Sequence, residues 1–135
     1  MTSTHRVIAA LVSAMTASAL LAIPAQAAPT LTINNVTPQT LPFLDVDGAE
    51  VTVAYRCDPA DSSAALRLVV TNQTTNDTSP ASLSLKPCSP NDITTNLFAA
   101  LTQAPRPGEV LRADVGLTTV PGNTTVTATK TITVP

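Results

Sequence analysis

Between residues 50 and 57 apolar and polar positions alternate without a break. Val51, Val53, Tyr55 and Cys57 fall on one side, Thr52, Ala54 and Arg56 on the other. Successive side chains of a strand point to opposite faces, so this run predicts a strand with one buried face. The same two-residue period recurs along the chain. Leu31 and Ile33, set among Thr30, Thr32 and Asn34, predict a first strand ending near Val36. Leu66, Leu68 and Val70 predict a third strand, and Leu83 and Leu85, alternating with Ser82, Ser84 and Lys86, a fourth. Cys88 is out of phase with those two leucines, and Pro87 is expected to supply a kink between them. Ile93, Thr95, Leu97 and Ala99 predict a fifth strand, with a helical turn over 97–101 as the alternative. A sixth carries Leu111, Ala113, Val115 and Leu117, and a seventh Val126, Ala128, Ile132 and Val134. Lys130 lies on the apolar face of that last strand, so it is expected near a sheet end with its ammonium in water.

The segments between these runs are rich in turn formers. Pro38 and Pro42 make residues 37–44 an expected extended connection. Residues 45–50 contain Asp47-Gly48, a tight-turn pair, and are expected to turn into the second strand. Residues 58–63, residues 105–108 and residues 121–123 complete the set, and the polar stretch 72–80 is expected to be an exposed loop or a weak edge strand. About seven short strands separated by Pro, Gly, Asp and Asn predict an all-β fold, a single immunoglobulin-like (Ig-like) sandwich.

The start of the chain is different in kind. His5 and Arg6 precede an apolar run from Val7 to Ile23, followed by Pro24-Ala25-Gln26-Ala27. Ala25 and Ala27 are small residues at the positions a signal peptidase reads, so residues 1–27 are expected to be a cleaved signal peptide and residues 28–135 the sandwich domain. The competing reading, a transmembrane anchor, fits less well. The run contains Ser13, Thr16 and Ser18, and no basic cluster follows it. The expected mature chain is therefore secreted, with no membrane span. Arg6 leaves with the leader, and six Lys and Arg face nine Asp and Glu, a net charge of −3. This mildly acidic surface without a basic cluster argues against nucleic acid as a partner.

Export also bears on the two cysteines, Cys57 and Cys88. In an oxidising compartment they are expected to form a disulfide, the alternative being two buried thiols. The layout resembles small exported single-domain proteins of actinobacteria with Ig-like folds. The shared features are the Ala-rich leader, the strand ending Tyr55-Arg56-Cys57, the segment Leu83-Ser84-Leu85-Lys86-Pro87-Cys88, and a strand entered through Pro107-Gly108-Glu109-Val110. That resemblance implies the architecture and no site residues. Antibody-type domains join their second and sixth strands and bury a Trp, whereas Cys88 follows the fourth predicted strand and the chain has no Trp. The opening Ala28-Pro29-Thr30 also resembles enediyne-carrying apoproteins, which are sandwiches with two short-range disulfides beside a chromophore cleft. Here there is one longer-range cysteine pair, and the chain has only one Tyr, two Phe and four Gly.

Candidate chemistry is sparse. His5 is the only histidine and lies in the expected leader, so the mature chain has none for a Ser–His or Cys–His pair or a His metal site. Paired cysteines offer no thiolate. Ser84 and Lys86 share a strand face, but a lysine base must be desolvated and that face is expected to be solvated. Asp45, Asp47 and Glu50 have the spacing of a fragment of a calcium loop, at a place where a turn is needed anyway. Arg106, between Pro105 and Pro107, could be a protease-inhibitor bait, although proline after arginine usually blocks the scissile bond. Asn35, Asn72, Asn76 and Asn123 begin Asn-X-Thr triplets, which a Thr-rich chain produces by chance. No catalytic residue, metal or cofactor is expected. The expected function is that of a non-enzymatic extracellular binding or structural module, its partner a protein or cell-surface component. A small-molecule carrier or a protease inhibitor is the alternative.

Overall fold

The structure is a computed structural model and describes residues 28–135; the expected signal peptide over 1–27 lies outside the described residues. Eight strands follow one another: β1 (Thr30–Leu41), β2 (Val46–Arg56), β3 (Ser63–Asn72), β4 (Asp77–Thr78), β5 (Ser82–Pro87), β6 (Ile93–Ala100), β7 (Val110–Val120) and β8 (Thr125–Thr133). All pairings are antiparallel. One sheet has the order β1-β2-β6; in the other, β3 is flanked by β7 and β8 on one side and by β4 and β5 on the other. The chain crosses between sheets after β2, β5 and β6. This is the strand order of an Ig-like sandwich in which the strand before the crossover back pairs with β3.

Alternation explains the core. Val51, Val53 and Tyr55 of β2 face Leu66, Leu68 and Val70 of β3 and Leu111, Ala113, Val115 and Leu117 of β7 across a single buried cluster. Completely burying a Leu, Val or Ile side chain contributes roughly 1.5–3 kcal/mol each, so these strand centres dominate the favourable side of folding. The strand expected around residues 93–99 is a strand and not a helical turn, with Leu97 and Ala99 inward.

Several local expectations are corrected. β1 does not stop at Val36 but runs through Pro38 to Leu41, so only residues 42–45 turn the chain. Pro38 is tolerated because β1 is an edge strand, and a proline lacking N–H is confined to such edges. Asp47-Gly48 is not the turn; both lie in β2, and Asp45 supplies the left-handed backbone with φ 50°. Gly48 is required for clearance. A Cβ there would run into the carbonyl of Ala99 and meet Phe98 Cζ at 2.8 Å. The polar stretch 72–80 does contain a weak edge strand, the short β4, but its Asn72 and Ser79 are buried and not exposed. Lys130 is inside β8, opposite Ala113, not at a sheet end. Its Nζ donates to the carbonyl of Asn34 at 3.4 Å, where a bulge between Ile33 and Asn35 breaks the β1–β2 register.

The largest correction is the phase of β5. Leu83 and Leu85 point outward, 73% and 69% exposed, while Ser82, Ser84 and Lys86 form the half-buried side. Cys88 is in phase with that inner side, so the expected kink at Pro87 is not needed.

Candidate functional site

The end of β2 is where the structure concentrates its ties. Cys57 and Cys88 are joined as a disulfide with Cα atoms 5.2 Å apart, and no free cysteine remains among the described residues. Two hydrogen bonds repeat the same link. Tyr55 Oη donates to the Pro87 carbonyl at 2.9 Å, and the Cys57 N–H donates to the Ser89 carbonyl at 3.0 Å. Tyr55 is fully buried, and that burial pushes its phenol pKa above the ordinary 10.0. Both sulfurs and the phenol are thus structural, linking the two sheets at one pole of the sandwich.

The opposite pole carries the hairpin between β1 and β2. Residues 42–45 place two large apolar side chains at its tip: Phe43 is 100% exposed and Leu44 70%. The turn is closed by the Leu44 N–H donating to the Leu41 carbonyl at 3.2 Å, and Thr40 Oγ1 donates to Asp47 at 2.8 Å just behind it. A well-tied hairpin therefore holds an aromatic ring and an aliphatic side chain in water. Nothing in the sequence pattern marks this tip, because an apolar pair beside a proline reads equally well as buried connection.

The outer face of the larger sheet offers a second feature. Outward residues of β8 are all threonine, from Thr125 to Thr133. Opposite Thr127 in β7 stands Gly116, whose missing side chain leaves a notch of about 330 Å³ bordered by Arg67, Asp114, Thr127 and Thr129. Asp114 is already engaged: one oxygen accepts from Thr129 at 2.8 Å and the other from Arg112 Nε at 3.0 Å. The notch is open and only partly apolar, with Val115 and Ala128 in its lining, unlike the mostly apolar clefts that enclose small ligands.

The residues singled out from the sequence do not converge. Asp45 sits in the hairpin turn, Asp47 is bonded to Thr40, and Glu50 lies on the outer face opposite Thr37 and Phe98. Among the described residues no group of three or more His, Cys, Asp or Glu is placed to hold a metal ion. Ser84 and Lys86 are half-buried on the inner side of β5, correcting the expectation that their face is solvated. Arg106 begins a type II turn, with the Glu109 N–H donating to its carbonyl at 3.1 Å and Gly108 at φ 88°. Glu109 in turn accepts from the Arg106 N–H at 2.6 Å and from Asn72 Nδ2 at 3.2 Å. The Arg106–Pro107 bond is thereby folded into a closed turn, the reverse of the extended segment that a protease cleft pairs with. Asn72 is buried and its Oδ1 accepts from the Thr74 and Thr75 N–H groups, so it is no glycan acceptor. Asn35, Asn76 and Asn123 are exposed.

No family model, curated protein or solved structure matches this chain.

Proposed function

We propose that the protein is a secreted, non-catalytic binding module that works by surface contact, exported by its leader and engaging an extracellular protein through the hairpin tip at 42–45. The observation that carries this reading is the full exposure of Phe43 beside an exposed Leu44. Large apolar groups held in water are unfavourable unless another surface covers them, and aromatic side chains that fill a partner's pocket dominate binding energetics. The tip is flanked by Asp45 and Asp47, so the complementary site is an apolar pocket with a basic rim. The outward residues of β8, all threonine, stay in solvent.

The test is capture from the producing organism's culture fluid and envelope by immobilised protein. A defined partner should be retained by the natural chain and lost from a Phe43→Ser, Leu44→Ser variant. That variant should keep its thermal stability, since neither side chain supports the core. Equal retention by both proteins would remove the tip from the reading. Turnover of a small substrate without any retained partner would overturn the binding module altogether.

One observation favours a second reading, that of a small-molecule carrier. The notch over Gly116 is lined by Arg67, Asp114 and two threonines, a border suited to a small polar ligand and not to an apolar chromophore. Filling it by Gly116→Val would abolish such binding and leave hairpin-mediated capture intact.

A further inference from the structure

β5 is an edge strand of the larger sheet. Its side toward β3 is fixed by backbone alternation. In β3 the Val70 carbonyl accepts from Ser79 N–H at 2.8 Å, Val70 N–H donates to Ser79 Oγ at 2.9 Å, and the Asn72 carbonyl accepts from Asn76 N–H at 2.8 Å. Even-numbered residues of β3 therefore turn their peptide groups toward the β4 and β5 flank. The register pairs Leu68 with Ser82, Leu66 with Ser84 and Ala64 with Lys86. Ser82, Ser84 and Lys86 thus spend their peptide groups on β3, and Leu83 and Leu85 turn theirs away from the sheet. Those same residues carry the outward side chains. Among the described residues β5 pairs with β3 alone.

We propose that the protein forms a two-fold symmetric dimer by antiparallel pairing of β5 with β5 of a second copy, centred on Ser84. In this register Leu83 of each chain stands opposite Leu85 of the other. Both are hydrogen-bonding positions, so all the N–H and C=O groups that the two leucines present are paired. The four exposed leucines become cross-strand and diagonal neighbours on the outer face, where they cover one another. Lys86 falls opposite Ser82, so the like charges stay apart. Other centres within the strand fit worse. One at Lys86 sets the two lysines face to face and brings Pro87, which has no N–H, opposite Leu85. One at Leu85 puts Pro87 opposite Leu83, one at Ser82 reaches Pro80, and one at Leu83 calls on Ala81 outside the strand. A contact confined to one short strand from each chain is smaller than the roughly 1,600 Å² of a standard interface, so the dimer exchanges with monomer. This association is independent of the hairpin tip, which lies in the other sheet.

Sedimentation equilibrium of the purified protein should show a mass that rises from one chain towards two with concentration. Leu83→Pro deletes an N–H that has no partner among the described residues. It should sediment as a single chain throughout while keeping the disulfide and the melting temperature of the natural protein. Ser84→Cys supplies a second route. In the proposed register its two thiols occupy a non-hydrogen-bonded pair with Cα atoms about 4.5 Å apart, within reach of a disulfide. It should oxidise to a reductant-sensitive dimer, whereas Leu83→Cys, two positions out of alignment with its mate, should not. A single-chain mass at every concentration overturns the proposal and leaves β5 to a foreign strand or to water. So does a dimer that Leu83→Pro leaves intact. If Leu83→Pro fails to fold, the Ser84→Cys result decides, and absence of the crosslink is equally fatal.

Discussion

Gly48 and Gly116 both lie within strands, where glycine costs roughly 0.5–1 kcal/mol relative to alanine. Their surroundings are opposite. At Gly48 the obstacle to a side chain is the backbone of Ala99, which cannot swing aside, with the Phe98 ring beside it. At Gly116 an added Cβ meets nothing within 4 Å. Gly48→Ala should therefore lower the unfolding free energy by about 1–3 kcal/mol, the usual cost of overpacking. Gly116→Ala should raise it by about 0.5–1 kcal/mol. Urea midpoints of the two variants against the natural chain check both signs. Tyr55 makes a different kind of residue-scale prediction. Its folded-state pKa is raised by burial, because the phenolate is poorly solvated there. The associated stability is whole below pH 10.0, the ordinary value, and is lost as pH climbs through the folded value, since the unfolded chain gives up its proton first. Tyr55 is the chain's one tyrosine and there is no tryptophan, so ultraviolet absorbance reads this group alone. Ionisation should lag behind that of the denatured chain and coincide with loss of strand signal in circular dichroism. Tyr55→Phe should cost about 1 kcal/mol at neutral pH through the lost bond to Pro87, and should flatten the alkaline fall.

At the scale of elements, the strands that sit in the middle of a sheet were readable from alternation alone. β2, β3 and β7 each have a neighbour on both sides and one face on the core, so the two-residue period of Val51-Val53-Tyr55 or Leu111-Ala113-Val115 could mean only one thing. Edge elements obeyed weaker rules. In β5 the apolar positions are the exposed ones, and hydrophobicity pointed to the wrong face. The phase of Cys88 contained the right answer, because a disulfide to a buried Cys57 forces its strand to look inward at that position. Pro38 reads as a break that ends β1 near Val36, whereas an edge strand can carry it to Leu41. Asp47-Gly48 read as a turn because local propensity favours one there. The true requirement is the approach of β6, a contact made by residues about fifty positions away and invisible in a local window. The candidate site was less legible than the fold for the same reason. The notch needs the pairing of β7 with β8, and the outward tip at Phe43 needs to know where β1 ends.

Over the whole molecule the ties are unevenly distributed. The Cys57–Cys88 bond closes a loop of 31 positions, and the chain-entropy model assigns such a closure about 3–4 kcal/mol. That is a large part of the 5–15 kcal/mol typical of a folded domain. Reduction, or the Cys57→Ala, Cys88→Ala variant, should lower the unfolding free energy by about that amount. Denaturant titration with and without reductant measures it, and a change near zero would mean that Tyr55 and the backbone bonds hold the pole unaided. At the far end, no covalent link operates among the described residues. There Asp77 accepts from the Thr102 and Gln103 N–H groups, and Glu109 fastens the turn at 106–109. The sandwich is in this sense a book stitched along one margin. Its free margin is held by packing and hydrogen bonds alone, so opening there would break no covalent link. The ring of Phe43 rides on that margin, so the contact proposed for it lies on the side of the molecule that no sulfur bond braces.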